Sequence, residues 1–112
     1  MTSVLVTDLA DAQLLALDAL RKGTGCTTYN LGNGRPTSGK ALIDSVERVV
    51  GRNVPITIGP RRPGDPGVLF ASRQRIRTEL GWTPRFEDID IIVATAWRWR
   101  EAHPSGYPKA TV

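Results

Sequence analysis

The sequence has little of the chemistry on which metalloproteins and secreted proteins depend. Its 112 residues include one cysteine, one histidine and one methionine. A single cysteine excludes an internal disulfide, so we expect a reducing, cytoplasmic location. One histidine and one cysteine also provide too few zinc ligands without carboxylates, and the carboxylate spacing indicates no such cluster. We therefore predict no metal site.

Long apolar runs are missing too. No segment approaches the length that crosses a membrane, and no charged and apolar leader opens the chain, so we predict no membrane partner. The length suits one domain, and an apolar content of 40% suits a folded one. The formal net charge of +4 admits nucleic acid or a phosphorylated small molecule as partner and does not decide between them.

A nucleophile paired with a base is also missing. His103 precedes a proline at the end of a predicted helix, which favours a partner of the helix dipole over a catalytic base. Cys26 has no activating neighbour, so we expect a small core residue. Two carboxylate pairs fall at predicted helix starts, where the dipole accounts for them: Asp8 with Asp11, and Glu87 with Asp88. We predict no catalytic residue, and a binding module rather than a catalyst.

What is present is a pattern of helices and short apolar segments. The predicted helices are Leu9–Leu20 with Thr7 as N-cap, a helix from Ser38 to Val50 closed by Gly51, one from Ser72 to Leu80, and one from Phe86 to Ala102. Residues Cys26–Leu31 predict a strand, Val54–Ile58 form a β-rich run, and Ser3–Val6 are either a short strand or a lead-in segment. Trp82 is predicted to be buried in a turn. We expect an α/β fold with three to four helices and a few short strands.

Glycines follow the predicted strand at Gly32 and Gly34. Strand, glycine turn and helix is also the local order of a dinucleotide phosphate loop, but the third glycine of that motif would fall at Thr37. A plain strand-to-helix turn is the favoured interpretation.

The most distinctive segment runs from Pro60 to Asp65 and reads Pro-Arg-Arg-Pro-Gly-Asp. Its two prolines fix φ, and its glycine permits a close backbone approach, so a stiff surface turn is predicted. An arginine on such a turn can hold a phosphate with two hydrogen bonds, and a carboxylate can accept from sugar hydroxyls. A nucleoside diphosphate offers both groups. The alternative is an Arg–Asp salt bridge that only closes the turn.

Several motifs together resemble one enzyme family. They are Val6–Asp11, Tyr29–Gly34, Pro60–Asp65, Leu80–Trp82 and Trp97–Trp99 followed by His103–Tyr107. In this order they resemble the C-terminal third of UDP-glucose 4-epimerases, extended short-chain dehydrogenases/reductases that interconvert UDP-galactose and UDP-glucose with bound NAD. The resemblance implies a substrate-binding region over residues 1–108, a tail at 109–112, and no NAD-binding Rossmann portion within the sequence.

The resemblance also implies roles for particular residues. Arg62 corresponds to an arginine that contacts the UDP pyrophosphate, Asp65 to an aspartate that binds the ribose, and Leu69 to a position that gates the sugar pocket. A second phosphate-binding arginine of the family falls at Met1. We therefore expect a UDP-sugar as ligand, with Arg62, Asp65 and Leu69 as substrate-binding residues.

The family's cofactor loop and its Tyr-x-x-x-Lys pair have no counterpart. Tyr29 is followed four residues later by Asn33, and Tyr107 by Thr111. We expect no cofactor site in this chain and no epimerisation by it alone. Apolar surfaces that the family covers would be exposed, so we expect self-association or pairing with an NAD-binding portion.

Two alternatives from other functional classes stay open at this point. One is a basic module that binds nucleic acid through Arg73, Arg77, Arg98 and Arg100, although no aromatic residues interleave with the arginines, which makes nucleic acid the weaker partner. The other is a purely structural or interaction fragment.

Overall fold

The computed structural model describes residues 3–109, which contain four helices joined by long irregular segments. These helices are α1 (Val6–Arg21), α2 (Gly39–Val50), α3 (Gln74–Leu80) and α4 (Ile89–Ala102). Within residues 3–109 no strand forms, so the predicted strand Cys26–Leu31 and the β-rich run Val54–Ile58 are wrong as strands. The physical reason is that a strand needs a neighbour for its backbone groups, and the described chain places none beside either segment.

The sequence correctly predicted three residues at helix ends. The Ser38 hydroxyl accepts a hydrogen bond from the Ala41 amide over 3.0 Å, so Ser38 is the N-cap of α2. Gly51 and Gly81 end α2 and α3 with φ of 74° and 72°, the left-handed conformation that glycine adopts without strain. All three residues were predicted at these ends.

Three helix starts differ from the prediction. α1 begins at Val6 after Leu5, which places Thr7 inside the helix rather than at its cap. α3 begins one residue later than expected because Arg73 is its N-cap, while the Ser72 hydroxyl accepts from the Gln74 amide over 3.3 Å. α4 begins at Ile89 because the Asp88 side chain accepts from the Asp90 amide over 2.9 Å and caps it there.

The core is small and lies between α1 and α3. Its buried apolar residues are Ala12, Ile76 and Trp82, which confirms the prediction of a buried Trp82. Partly buried side chains pack around them: Val4, Leu15, Tyr29, Leu31 and Leu80. α2 packs separately against α4. The chain is thus two helix pairs joined by extended connections.

The molecule is open for its size. Its Cα radius of gyration is 17.6 Å, whereas about 13 Å is expected for a compact domain of this length. Its accessible surface is 8787 Å², against about 6,000 Å² expected for a folded monomer of this mass. Much of the surplus is apolar, since many large apolar side chains are exposed. No helix between residues 3 and 109 has the length and apolar character needed to cross a bilayer.

Candidate functional site

The candidate site is the exposed turn that carries Arg62 and Asp65. The Arg62 guanidinium donates to both carboxylate oxygens of Asp65, Nε to Oδ2 and Nη2 to Oδ1, each over 3.2 Å. The Arg61 guanidinium donates to the Asp65 carbonyl oxygen over 3.1 Å, and the Asp65 amide donates to the Arg62 carbonyl oxygen over 3.4 Å. Gly64 has a φ of 86°, which explains the glycine at this corner. The turn is therefore tight, as its composition predicts.

The two charged side chains bind each other and remain open to solvent. The Arg62 side chain is 82% exposed and that of Asp65 is 47% exposed. An exposed ion pair contributes only about 0 to 1 kcal/mol to stability, so this pair adds little to the fold. The arrangement is the Arg–Asp salt bridge that closes the turn, and its polar groups remain open to solvent.

Leu69 follows this turn on the same exposed connection. It is 64% exposed and lies between Val68 and Phe70, which are also exposed. Four clefts of about 250 to 710 Å³ on the described chain are lined by other residues and include neither Leu69 nor the Arg62–Asp65 pair. The turn therefore presents an open surface rather than a pocket.

The largest of these clefts lies between the start of α1 and one side of α4. It has a volume of about 710 Å³ and an aromatic wall made by Trp99 and Tyr107. The Trp99 ring stacks on His103 with centroids 4.6 Å apart and meets Tyr107 at 5.2 Å. The His103 amide donates to the Trp99 carbonyl oxygen over 2.9 Å, which places His103 at the end of α4 as predicted. The aromatic stack was not predicted.

Asp8 has a role that the sequence reading missed. Its side chain is fully buried, and its two oxygens accept from the backbone amides of Arg85 over 2.9 Å and Phe86 over 3.0 Å. Asp11 pairs with the Arg85 guanidinium at 2.8 Å. Asp8 therefore fixes the segment before α4 to α1. Its role is not limited to the predicted interaction with the dipole of α1. One sequence signal could have predicted the burial of Asp8. It lies four and seven residues before Ala12 and Leu15, and this spacing places it on the same face of the helix.

Glu87 and Cys26 also differ from expectation. Glu87 lies before α4 and pairs with Arg73 at 2.6 Å and with Arg35 at 3.6 Å, so it is not a first-turn dipole partner. Arg73 is therefore already engaged, which weakens the nucleic-acid interpretation. Cys26 is exposed, so the prediction of a core cysteine is wrong. The segment that carries it runs along the outside of α1, beside Ala16 and Leu20.

An ion pair joins the two helices of the second pair, α2 and α4. Arg48 donates to Asp90 over 2.9 Å, and the buried Ser45 hydroxyl donates to the same carboxylate. The hydrogen bond from Arg48, followed by that from Ser45, holds the pKa of Asp90 below its ordinary value of 3.8. The same contact raises the pKa of Arg48. This pair joins α2 to α4 directly.

Gly32 packs closely against a distant part of the chain. A Cβ built on Gly32 would lie 2.5 Å from the Ala71 carbonyl oxygen, so this glycine is needed for close packing against the chain's own backbone. The side of Gly32 that a side chain would occupy is therefore filled by the chain itself. Between residues 3 and 109 no group of three His, Cys, Asp or Glu side chains could hold a metal ion.

Comparison with known proteins identifies the chain's relatives. No family model matches it. The UDP-glucose 4-epimerase of Lacticaseibacillus casei is 44% identical over 102 residues, which are 91% of this chain and 31% of that enzyme. A crystal structure of a UDP-glucose 4-epimerase superposes with a TM-score of 0.93 at 39% identity, over 97% of this chain and 33% of that one. The Bifidobacterium longum enzyme, in complex with NAD+ and UDP, gives a TM-score of 0.80 at 30% identity over 95% of this chain and 31% of its own.

These matches confirm the resemblance that the motifs indicated. They also show that the four helices and their connections adopt a conformation found inside a longer enzyme. The chain spans about a third of the relatives that it matches. Over nine-tenths of its length, it is similar in sequence and in fold to one part of the UDP-glucose 4-epimerases.

Proposed function

We propose that this chain is the C-terminal, UDP-sugar-binding portion of a UDP-glucose 4-epimerase, with residues 1–108 as the binding region. The observation that carries the proposal is the close fold match to a solved epimerase over nearly the whole chain. The solved relative from B. longum is in complex with UDP, which supports the same ligand class. Met1, the position of the family's second phosphate-binding arginine, lies outside the described residues. Residues 110–112 of the proposed tail lie outside them as well.

The binding step uses the turn from Pro60 to Asp65. The Arg62 guanidinium exchanges its two bonds to Asp65 for two bonds to the pyrophosphate of UDP, which carries more negative charge. Asp65 is then free to accept from the ribose hydroxyls. Leu69, exposed four residues later, covers the sugar. The proposal for all three residues rests on the resemblance together with their exposure on one connection.

Catalysis needs chemistry that these side chains do not supply. When bound, NAD provides the hydride acceptor of the family, and in this chain the space beside Gly32 is filled by Ala71. We therefore propose that turnover requires an NAD-binding portion equivalent to the other two thirds of the relatives, and that this chain contributes substrate binding. Its exposed free cysteine, Cys26, supports a reducing, cytoplasmic location.

Two measurements test the proposal. Calorimetric titration with UDP and UDP-glucose should show binding that Arg62→Ala weakens by about 1.5 to 3 kcal/mol. Arg62→Lys keeps the charge and loses the two-pronged geometry, so we expect an intermediate affinity. Arg100→Ala is the matched control because it removes the same charge from α4.

A chimera provides the second measurement. Residues 3–109 would replace the matching third of the L. casei enzyme, and interconversion of UDP-galactose and UDP-glucose would be followed with NAD present. We expect activity that Arg62→Ala reduces and Arg100→Ala leaves unchanged. A folded chimera that binds no UDP-sugar would contradict the proposal.

A further inference from the structure

The turn from Pro60 to Asp65 has few backbone hydrogen bonds to fix its shape. Three positions from 60 to 66 have no backbone N–H to donate: Pro60, Pro63 and Pro66. Within these residues, all of which the structure describes, one backbone–backbone hydrogen bond forms, from the Asp65 amide to the Arg62 carbonyl oxygen over 3.4 Å. That distance exceeds the usual range of about 2.7 to 3.2 Å, so the bond is weak. Side chains therefore supply the other hydrogen bonds that close the turn.

Two arginine side chains bind different groups of Asp65. The Arg62 guanidinium binds the carboxylate with two hydrogen bonds of 3.2 Å. The Arg61 guanidinium instead donates from Nη2 to the backbone carbonyl oxygen over 3.1 Å. The same Nη2 atom lies beside Gly67, where a Cβ would be 4.0 Å from it. Arg61 therefore spans the turn from its start to a point beyond Asp65, and it does so without using the carboxylate.

These two contacts differ in what a bound UDP-sugar does to them. In the binding step proposed above, the pyrophosphate takes the Arg62 guanidinium and the ribose takes the Asp65 carboxylate, so the bonds between these two side chains are lost. Neither exchange uses the Asp65 carbonyl oxygen, so the hydrogen bond from Arg61 is kept. With the weak backbone bond, it then fixes the separation of the two ligand-binding residues. Binding groups that are already fixed lose less conformational entropy when the ligand arrives.

We propose that Arg61 is a positioning residue for UDP recognition. It holds the backbone of Asp65 so that Arg62 reaches the pyrophosphate while the Asp65 carboxylate reaches the ribose of the same molecule. This role rests on the proposed function and deepens it, because it adds a residue that acts on the ligand through Asp65 and not by contact. A guanidinium suits the task, since it stays charged and a charged donor forms a stronger hydrogen bond than a neutral one.

Arg61→Met tests the hydrogen bond to the Asp65 carbonyl oxygen. The change removes the donor and keeps an unbranched side chain. We expect the affinity for UDP, measured by calorimetric titration, to fall about 3- to 10-fold, which corresponds to the loss of one hydrogen bond. Arg61→Lys keeps a charged donor and should recover most of the affinity. Because Arg61 is exposed, both variants should unfold at the urea concentration that unfolds the wild type.

Inorganic pyrophosphate distinguishes positioning from direct contact with phosphate. It has no ribose, so its binding does not depend on how Asp65 is placed relative to Arg62. In about 0.15 M salt, which screens the lost charge, Arg61→Met should change the affinity for pyrophosphate by less than about twofold. Asp65→Ala removes the carboxylate but keeps the backbone carbonyl oxygen. Adding Arg61→Met to Asp65→Ala should therefore cause no further loss of UDP affinity, because no ribose-binding group is left to position.

The wild type and Arg62→Ala, measured in the same series, separate this inference from the proposed function. Equal losses of UDP and pyrophosphate affinity in Arg61→Met, or additive losses in the double variant, would overturn the positioning role and make Arg61 a phosphate ligand. If Arg62→Ala weakens UDP binding and Arg61→Met does not, the positioning role fails while the proposed function stands. A wild-type chain that binds no UDP would overturn both.

Discussion

The indole nitrogen of Trp82 donates to the backbone carbonyl oxygen of Asp8 over 2.9 Å, although 74 residues separate them. The same aspartate binds the backbone of Arg85 and Phe86 through its side chain. These contacts attach the start of α1 to the turn before α4. Because the apolar core is small, such buried hydrogen bonds carry a large share of what fixes the arrangement.

Trp82→Phe should destabilise the chain. The change removes the donor to the Asp8 carbonyl oxygen and part of a side chain that is only 1% exposed. We expect a loss of about 1 to 3 kcal/mol in the free energy of unfolding, measured by urea denaturation. Trp99→Phe, at a 38% exposed side chain, should cost less. Equal losses from the two variants would contradict this account of Trp82.

Asp8→Asn tests the buried carboxylate. The Asn side chain can accept one of the two backbone hydrogen bonds with its carbonyl oxygen. Its NH₂ group then faces the other backbone N–H, which loses its acceptor. Leaving a buried donor unsatisfied costs about 1 to 3 kcal/mol of unfolding free energy. The matched control is Asp11→Asn, because Asp11 is half-buried and its ion pair with Arg85 is partly exposed. We expect its loss to stay below about 1 kcal/mol.

The Arg48–Asp90 contact predicts an acid-dependent loss of stability. The folded-state pKa of Asp90 lies below its ordinary value of 3.8, so its contribution is present above that value and is lost as the pH falls through the lowered pKa. Thermal unfolding followed from neutral pH downward should show this decline. Asp90→Asn should flatten it, whereas Asp18→Asn, at an exposed carboxylate on α1, should not. If the stability of Asp90→Asn fell with pH as steeply as that of the wild type, the decline could not be assigned to Asp90.

Asp65→Asn separates the two proposed halves of UDP recognition. The pair that Asp65 makes with Arg62 is exposed, so its loss should change stability by no more than about 1 kcal/mol. If Asp65 binds the ribose, UDP affinity should fall while affinity for inorganic pyrophosphate, which has no ribose, should hold or rise. Calorimetry with both ligands measures this. A parallel fall for both would assign Asp65 to the phosphate end instead.

Several features were predicted from the sequence because they depend on neighbours in the chain. Ser38 caps α2 through an amide three residues away, and Gly51 and Gly81 end helices because only glycine adopts their φ without strain. The resemblance to the epimerases was likewise carried by short motifs. The tight turn at Arg62 and Asp65 follows from its prolines and glycine.

Other features needed partners from distant parts of the chain. The segment Cys26–Leu31 has β-prone residues, but a strand forms only where a second strand supplies hydrogen bonds. The prediction for Cys26 failed for the same reason, since burial requires a layer on both sides. Glu87 lies outside α4 because Asp88 caps the helix and Arg73 engages the glutamate.

The sequence by itself determined where helices end, where the chain turns and which enzymes it resembles, because those properties are set by a few consecutive residues. The tertiary structure alone decided that Asp8 is buried and bonded to the segment before α4, and that Cys26 is exposed. Both outcomes depend on which surfaces meet across many residues of chain, where packing and hydrogen-bond satisfaction outweigh local preference.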